Sequence, residues 1–264
     1  MNSEKTSGYI NINSASIYYE FINFHLLHNN KPVLVFLHEG LGSCAQWKDF
    51  PYILSKELNM PVFMYDRYGY GKSEKISEPR KLSYLEEEAL DWLPKIFTCL
   101  NLNKYKKVMI GHSDGGSIAL IYPSVFPDNV VGIITEAAHV YNEEKAYGSL
   151  LSIVDNFNHG NLKQKLKKYH GNNTETMFNS WAEMWLSDNF RQWNIEHYLA
   201  NIKCPVLAIQ GQDDEFATFK QLDSIKNGIN NLCELLFIEN CKHIPHQQAQ
   251  NIVKKEMINF ISGL

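Results

Sequence analysis

Predominantly apolar runs of strand length recur along this chain at residues 32–37, 62–65, 107–110, 130–134, 205–209 and 234–238. Runs without polar alternation belong to strands buried on both faces, as in a parallel sheet covered by helices. Two shorter strands are expected upstream, over 9–12 and 16–22. Between the runs lie segments whose apolar residues follow helical spacing: 47–58, 84–100, 117–122, 219–229 and 247–261. Strand and helix in alternation predict a mostly parallel sheet with helices on both faces.

The alternation breaks between His139 and Leu199. That stretch offers no strand, shifts toward Trp, Tyr, Asn and Lys, and predicts helices over 150–158, 162–169, 174–186 and 190–199. The economical organisation is a core made of 1–138 and 200–264, with 139–199 inserted as a helical cap. There are no internal repeats, no low-complexity tracts and no Pro/Gly-rich linker that would mark a second independent domain.

Composition narrows the function. A chain of 264 residues with 44% hydrophobic and 20% charged residues is globular in character. A net charge of −4 with scattered Lys and Arg leaves no basic stripe for a phosphate backbone, so nucleic acid is not an expected partner. No apolar run approaches the ~18 residues of a membrane span, and the N-terminus lacks the pattern of a secretory leader, so a cytoplasmic location is expected. Cys44, Cys99, Cys204, Cys233 and Cys241 are odd in number and not closely paired, which argues against a disulfide framework or a structural metal.

The chemistry concentrates at Gly111-His-Ser-Asp-Gly115, which follows an apolar strand and opens into a helix. This is the strand, turn and helix context of a G-x-S-x-G elbow, where a nucleophile at the tip of a sharp turn crowds the residues two before and two after it. Two later strands also end in loops with suitable chemistry: Gln210-Gly-Gln-Asp-Asp-Glu215, then Glu239-Asn-Cys-Lys-His-Ile-Pro-His246. A lone Asp or His in such loops is usually a surface residue; here both follow Ser113 in the order Ser, acid, His.

In these motifs, and over nearly its whole length, the chain resembles the α/β-hydrolase superfamily, especially its cap-bearing esterase and lipase-like members. The resemblance implies Ser113 as nucleophile, His243 as base and Asp214 as the acid that orients it, with His246 and Asp213 as rivals. It also implies an oxyanion hole from the backbone N–H groups of Asp114 and of Gly40, the latter in His38-Glu-Gly-Leu-Gly-Ser43, similar to the family's His-Gly-x-x-Gly motif. His38, Glu39, His112, Trp181 and Trp185 become candidate substrate contacts. Trp181 and Trp185 share one helix face with packing as the simpler role, and Trp193, Phe178 and Tyr198 are further cap aromatics.

Two acids depart from the family pattern, Glu39 in place of a glycine and Asp114 beside the nucleophile. Each must point away, pair or stay protonated. Arg67, in the segment Tyr65-Asp-Arg-Tyr-Gly-Tyr-Gly-Lys-Ser73 that resembles the family's Asp-x-Arg-Gly-x-Gly-x-Ser loop, is the expected partner of Glu39. The resemblance implies hydrolysis of an ester, thioester or similar acyl bond of a small molecule through an acyl-enzyme on Ser113, without cofactor or metal. Carbon–carbon bond hydrolysis, aminopeptidase activity or small-molecule sensing without turnover would use the same residues.

Overall fold

The computed structural model describes residues 4–28, 30–229 and 232–264. Strands β1 (Lys5–Ile12) and β2 (Ala15–Ile22) form a hairpin whose turn residues Asn13 and Ser14 both take positive φ, 51° and 66°. Two consecutive left-handed residues match the twist of a two-residue hairpin. β3 (Val33–Leu37), β4 (Val62–Tyr65), β5 (Lys107–His112), β6 (Val130–Glu136), β7 (Val206–Gly211) and β8 (Cys233–Ile238) complete an eight-stranded sheet in the order β1-β2-β4-β3-β5-β6-β7-β8. β2 runs antiparallel to β4, and every pairing from β4 to β8 is parallel.

The helices are α1 (Phe50–Leu58), α2 (Tyr84–Glu87), α3 (Leu93–Cys99), α4 (Asp114–Val125), α5 (Glu144–His159), α6 (Leu162–His170), α7 (Thr174–Leu186), α8 (Glu196–Leu199), α9 (Lys220–Gly228), α10 (Pro245–Gln248) and α11 (Gln250–Ser262). Side chains alternate across the pleat. Leu34, Phe36, Ile110, Ile134 and Ile209 pack on one face against α1 and α11, through Phe50, Leu54, Val253 and Met257. Val33, Val35, Met109, Ile133 and Ala208 pack on the other against α3, α4 and α9, through Ile96, Ile118, Leu120 and Ile225. The sheet is therefore covered on both faces, as the apolar runs require.

Between β6 and β7 the chain forms α5 to α8. Their apolar residues Leu150, Phe157, Leu166, Phe178, Trp181 and Trp185 join the same cluster as the α4 face of the sheet. His170 ties this segment to two core loops: its Nδ1 accepts from the Gly71 N–H at 2.9 Å and its Nε2–H donates to the Leu41 carbonyl at 3.0 Å.

The observed elements correct some expectations. The helix expected over 190–199 is a short 3-10 turn, Phe190–Gln192, followed by α8, with Asn194 bridged to Tyr141 between them. Trp193 turns inward to stack on Phe190 at 5.2 Å, and Asn194 Oδ1 accepts the Glu196 N–H at 2.8 Å, an Asx turn just ahead of α8. β8 is an edge strand with a partly exposed face, Phe237 being 39% exposed, rather than a strand buried on both sides. α4 extends beyond the expected 117–122 because the turn at Ser113 launches it directly.

Gly148 sits inside α5, and a Cβ built there meets no atom within 4 Å. A helical glycine in open space costs about 0.5–1 kcal/mol relative to alanine. Gly148→Ala is expected to stabilise the protein by that amount, read as a rise in the denaturation midpoint at unchanged m-value; a fall in the midpoint would show that the position needs glycine.

Candidate active site

Ser113 occupies the junction between β5 and α4 with φ 53° and ψ −118°, a backbone region unfavourable for any residue with a Cβ. The flanking glycines make the turn possible. A Cβ on Gly111 would lie 2.0 Å from the Gly115 carbonyl oxygen, and one on Gly115 would lie 2.0 Å from the Leu37 carbonyl oxygen. The elbow is pinned from the next strand as well, since the Ser113 N–H donates to the Glu136 carbonyl at 2.8 Å.

The His243 ring lies between Ser113 and Asp214. Its Nε2 is 3.0 Å from Ser113 Oγ, and its Nδ1 is 3.0 Å from each Asp214 carboxylate oxygen. Asp214 is fully buried and also accepts the Phe216 N–H at 2.9 Å. Burial pushes the Asp214 carboxyl up, but the His243 charge and these hydrogen bonds outweigh it and leave the pKa lowered. The rivals lie elsewhere. Asp213 is exposed, while His246 is buried against Trp47 and donates from Nδ1 to Glu136 Oε2 at 3.0 Å.

Ser113, Asp114, Gly40 and His243 line a cavity of about 500 Å³, together with Glu39, Leu41, His112 and His139. Its remaining walls come from α5 (Gly148, Ser149, Leu150, Ser152, Ile153, Asn156), from α7 (Trp181, Trp185), from the loops bearing Glu215, Phe216 and Ile244, and from Gln248 at the end of α10. Among the described residues, the backbone N–H groups of Gly40 and Asp114 make no hydrogen bond within the protein. Trp181 crosses directly over Gly40: a Cβ there would lie 2.3 Å from the indole Nε1. The two tryptophans on the expected helix face thus both pack and line the cavity, whereas Trp193, Phe178 and Tyr198 do not line it.

The two unusual acids are each paired, though not as expected. Arg67 does not pair with the Glu39 carboxylate; its guanidinium donates to Asp114 Oδ2 at 3.2 and 3.3 Å and to the Glu39 carbonyl at 2.8 Å. Tyr84 Oη also donates to Asp114 Oδ2, at 2.9 Å, and itself accepts the Trp185 Nε1–H at 2.8 Å. Asp114 Oδ2 is thereby engaged by groups from two different segments, one of them braced by Trp185.

Glu39 is instead met by His112, whose Nδ1 lies 3.3 Å from Glu39 Oε2 while its Nε2–H donates to the His243 carbonyl at 2.7 Å. Both ring nitrogens face acceptors, an arrangement that favours the doubly protonated ring. Burial pushes the His112 pKa down, and Glu39 more than offsets this, leaving it raised; burial likewise pushes Glu39 up, and His112 brings it below the usual carboxylate range. His112 therefore presents no free polar atom to a substrate. His38 does not line the cavity at all: Nδ1–H donates to the Glu39 carbonyl at 2.8 Å and Nε2 accepts the Arg67 N–H at 3.1 Å. Its expected substrate contact is replaced by a loop-fixing role. Burial and the Arg67 charge lower its pKa well below the usual imidazole value.

His139 escaped the sequence reading, although it follows the end of β6 as Ser113 follows β5. Its ring lies 5.9 Å from that of His243 and takes no hydrogen bond among the described residues. Burial and the His243 charge push its pKa down to about 4. Among the described residues no group of three or more His, Cys, Asp or Glu could hold a metal ion, and no helix is long and apolar enough to cross a membrane.

With this geometry established, known proteins provide a comparison. The family model of the alpha/beta hydrolase fold matches residues 32–180. The chain is 27% identical over 243 residues to the pimeloyl-[acyl-carrier protein] methyl ester esterase of Wigglesworthia glossinidia brevipalpis, covering 80% of this chain and 86% of that one. It is 27% identical over 219 residues to the human serine hydrolase BPHL, covering 78% and 72%. A match to protein bem46 of Schizosaccharomyces pombe, 28% identical over 107 residues, spans only 40% of this chain and 35% of that protein. Among solved structures, the 2-hydroxy-6-oxo-6-phenylhexa-2,4-dienoate hydrolase of Rhodococcus sp. strain RHA1 superposes with a TM-score of 0.78 at 14% identity, over 98% of this chain and 99% of that one; that likeness is one of fold.

Two outcomes follow from the buried charges. Removing one partner of a buried pair costs about 3–5 kcal/mol, so Arg67→Ala should lower thermal stability strongly, and Asp114→Asn in the same chain should recover much of the loss. Glu39→Gln combined with Arg67→Ala should be additive; recovery in that pair instead would restore the Glu39–Arg67 pairing. For His139, the folded pKa near 4 lies below the ordinary value of about 6.5. Its contribution to stability is therefore full above about pH 6.5 and is lost as pH falls toward 4. His139→Asn should flatten the pH dependence of the unfolding midpoint over that window, and an unchanged slope would mean that folding does not shift the His139 pKa.

Proposed function

This chain belongs to the α/β-hydrolase fold family, and on that premise we propose that it is a serine hydrolase that cleaves an ester, thioester or similar acyl bond of a small molecule. The observation that carries this reading is the His243 ring, 3.0 Å from both the Ser113 hydroxyl and the buried Asp214 carboxylate. In the proposed reaction His243 Nε2 takes the Ser113 proton and Oγ attacks the acyl carbon, while Asp214 fixes the Nδ1–H tautomer and stabilises the imidazolium. The tetrahedral oxyanion accepts hydrogen bonds from the Gly40 and Asp114 N–H groups. The bond to the leaving group then breaks as His243 returns the proton to it, and water repeats the sequence to release the acid. Two relatives, a methyl ester esterase and a serine hydrolase, support the class.

On the same reading, residues 139–199 act as a cap. Trp181 and Trp185 close the cavity from above, and the α5 face forms its outer wall. A cavity walled by Leu41, Leu150, Ile153, Phe216 and Ile244 suits a mainly apolar acyl or alkyl group.

A fluorophosphonate probe should label the protein at Ser113, and short p-nitrophenyl esters should turn over. Ser113→Ala should abolish labelling and lower kcat by about 10⁶-fold, with His243→Ala adding little on top because the groups act as a unit. Asp214→Asn should cost about 10⁴-fold, while Asp213→Asn and His246→Gln stay far milder. Labelling without turnover of any ester would replace the enzyme with a small-molecule sensor, and additive losses would break up the proposed triad.

A further inference from the structure

The charged groups that face the cavity, taken one by one, leave a single negative charge without a protein partner. Glu39 is matched by His112, and Asp114 by Arg67 and Tyr84. Asp214 is engaged by His243 and the Phe216 N–H. His139 lines the wall as a neutral ring. Glu215 remains. It lines the cavity on the loop that carries Asp214, its Oε2 is buried without a hydrogen-bond partner, and among the described residues no cation lies within ion-pair distance of it. Lys145, the nearest candidate along α5, turns its Nζ onto the Asp214 and Ala217 carbonyls instead. No Lys or Arg is among the lining residues.

We propose that Glu215 forms a subsite for a positively charged group, so that the natural substrate joins an apolar portion to a protonated or quaternary amine. This deepens the serine-hydrolase reading and rests on it. A carboxylate with no ion-pair partner in a protein-walled cavity attracts a cation and repels an anion more strongly than it would in bulk water, because the surrounding protein screens the charge less than water does. The position supports the chemistry. Ser149 Oγ donates to the Glu215 carbonyl at 2.7 Å, which fixes the loop against α5. Ser149, Ser152 and Asn156 add polar groups to the α5 wall, while Trp181 lies directly over Gly40. A substrate would thus lay its apolar part under the tryptophans and its cationic part along the Glu215 and α5 edge.

The test uses three competitive inhibitors of p-nitrophenyl butyrate hydrolysis, matched in length and differing in charge: hexylammonium, 1-hexanol and hexanoate. Hexylammonium should bind about 10-fold more tightly than hexanol, with hexanoate the weakest, and its advantage should shrink as salt is raised. In Glu215→Gln that advantage should disappear while the hexanol inhibition constant changes by less than about 3-fold. Equal binding of cation and alcohol in the native protein, or a cation preference that survives Glu215→Gln, overturns the subsite. Absence of both labelling and turnover would overturn the hydrolase reading itself.

Discussion

The backbone at Ser113 holds a conformation that a residue with a side chain resists, and much of the molecule is arranged to hold it there. A non-glycine residue at φ 53° and ψ −118° stores strain of about 1–3 kcal/mol, which persists only when its surroundings over-determine it. Here they do so from three directions. β5 ends within contact distance of the start of α4, α4 presses its first turn onto the backbone at the end of β3, and β6 takes the Ser113 N–H. Each approach is backbone to backbone, so no side chain fits at Gly111 or Gly115. The strain is supported by the close packing of three adjacent parallel strands, with β3, β5 and β6 in register at Leu37, Gly111 and Thr135.

The same junction explains the buried charges. An acid directly after the nucleophile and another in the loop after β3 bring two carboxylates beside the proposed oxyanion site, where they would oppose developing negative charge. The structure separates them into two independent pairs of different kinds. Arg67 offers a planar, multidentate donor that engages Asp114 Oδ2 and at the same time fixes the Glu39 carbonyl. His112 offers a smaller ring, its pKa raised by Glu39, whose second nitrogen holds the carbonyl of His243. One histidine thus couples the charge of Glu39 to the loop that carries the proposed base. Because Trp185 reaches Asp114 through Tyr84, the proposed cap also joins this network by hydrogen bonds.

The proposed cap lines a cavity whose proposed catalytic groups all follow strand ends. Its tryptophans serve packing and cavity wall together, since an indole on one helix face can rest its edge on a neighbouring ring and turn its plane to the cavity. α5 contributes a mixed wall. Leu150 and Ile153 are apolar, whereas Ser149, Ser152 and Asn156 are polar, and Glu215 lines the same cavity.

Much of this was legible in the sequence. Buried parallel strands must be apolar on both faces, so their runs stand out without context, and the loops that follow them bring Ser113, Asp214 and His243 to one edge of the sheet. The Gly111 and Gly115 positions were legible for the same reason: a steric demand of the local backbone is written in the local residues. Charge partnership was not. Arg67 is equally able to reach Glu39 or Asp114 when only chain order is known, and the choice depends on how the β4 and β3 loops cross α4, which is a long-range distance. His139 went unseen because a lone histidine carries no pattern, and its neutral state arises from burial beside His243. The 190–199 segment read as helix because its apolar spacing suits one; tertiary packing instead drew Trp193 onto Phe190, and burying an indole outweighs a few weak helical preferences. Periodicity and turn sterics are local and so belong to the sequence, whereas the pairing of buried charges and the lining of a cavity depend on elements far apart in the chain, and only the folded structure brings those together.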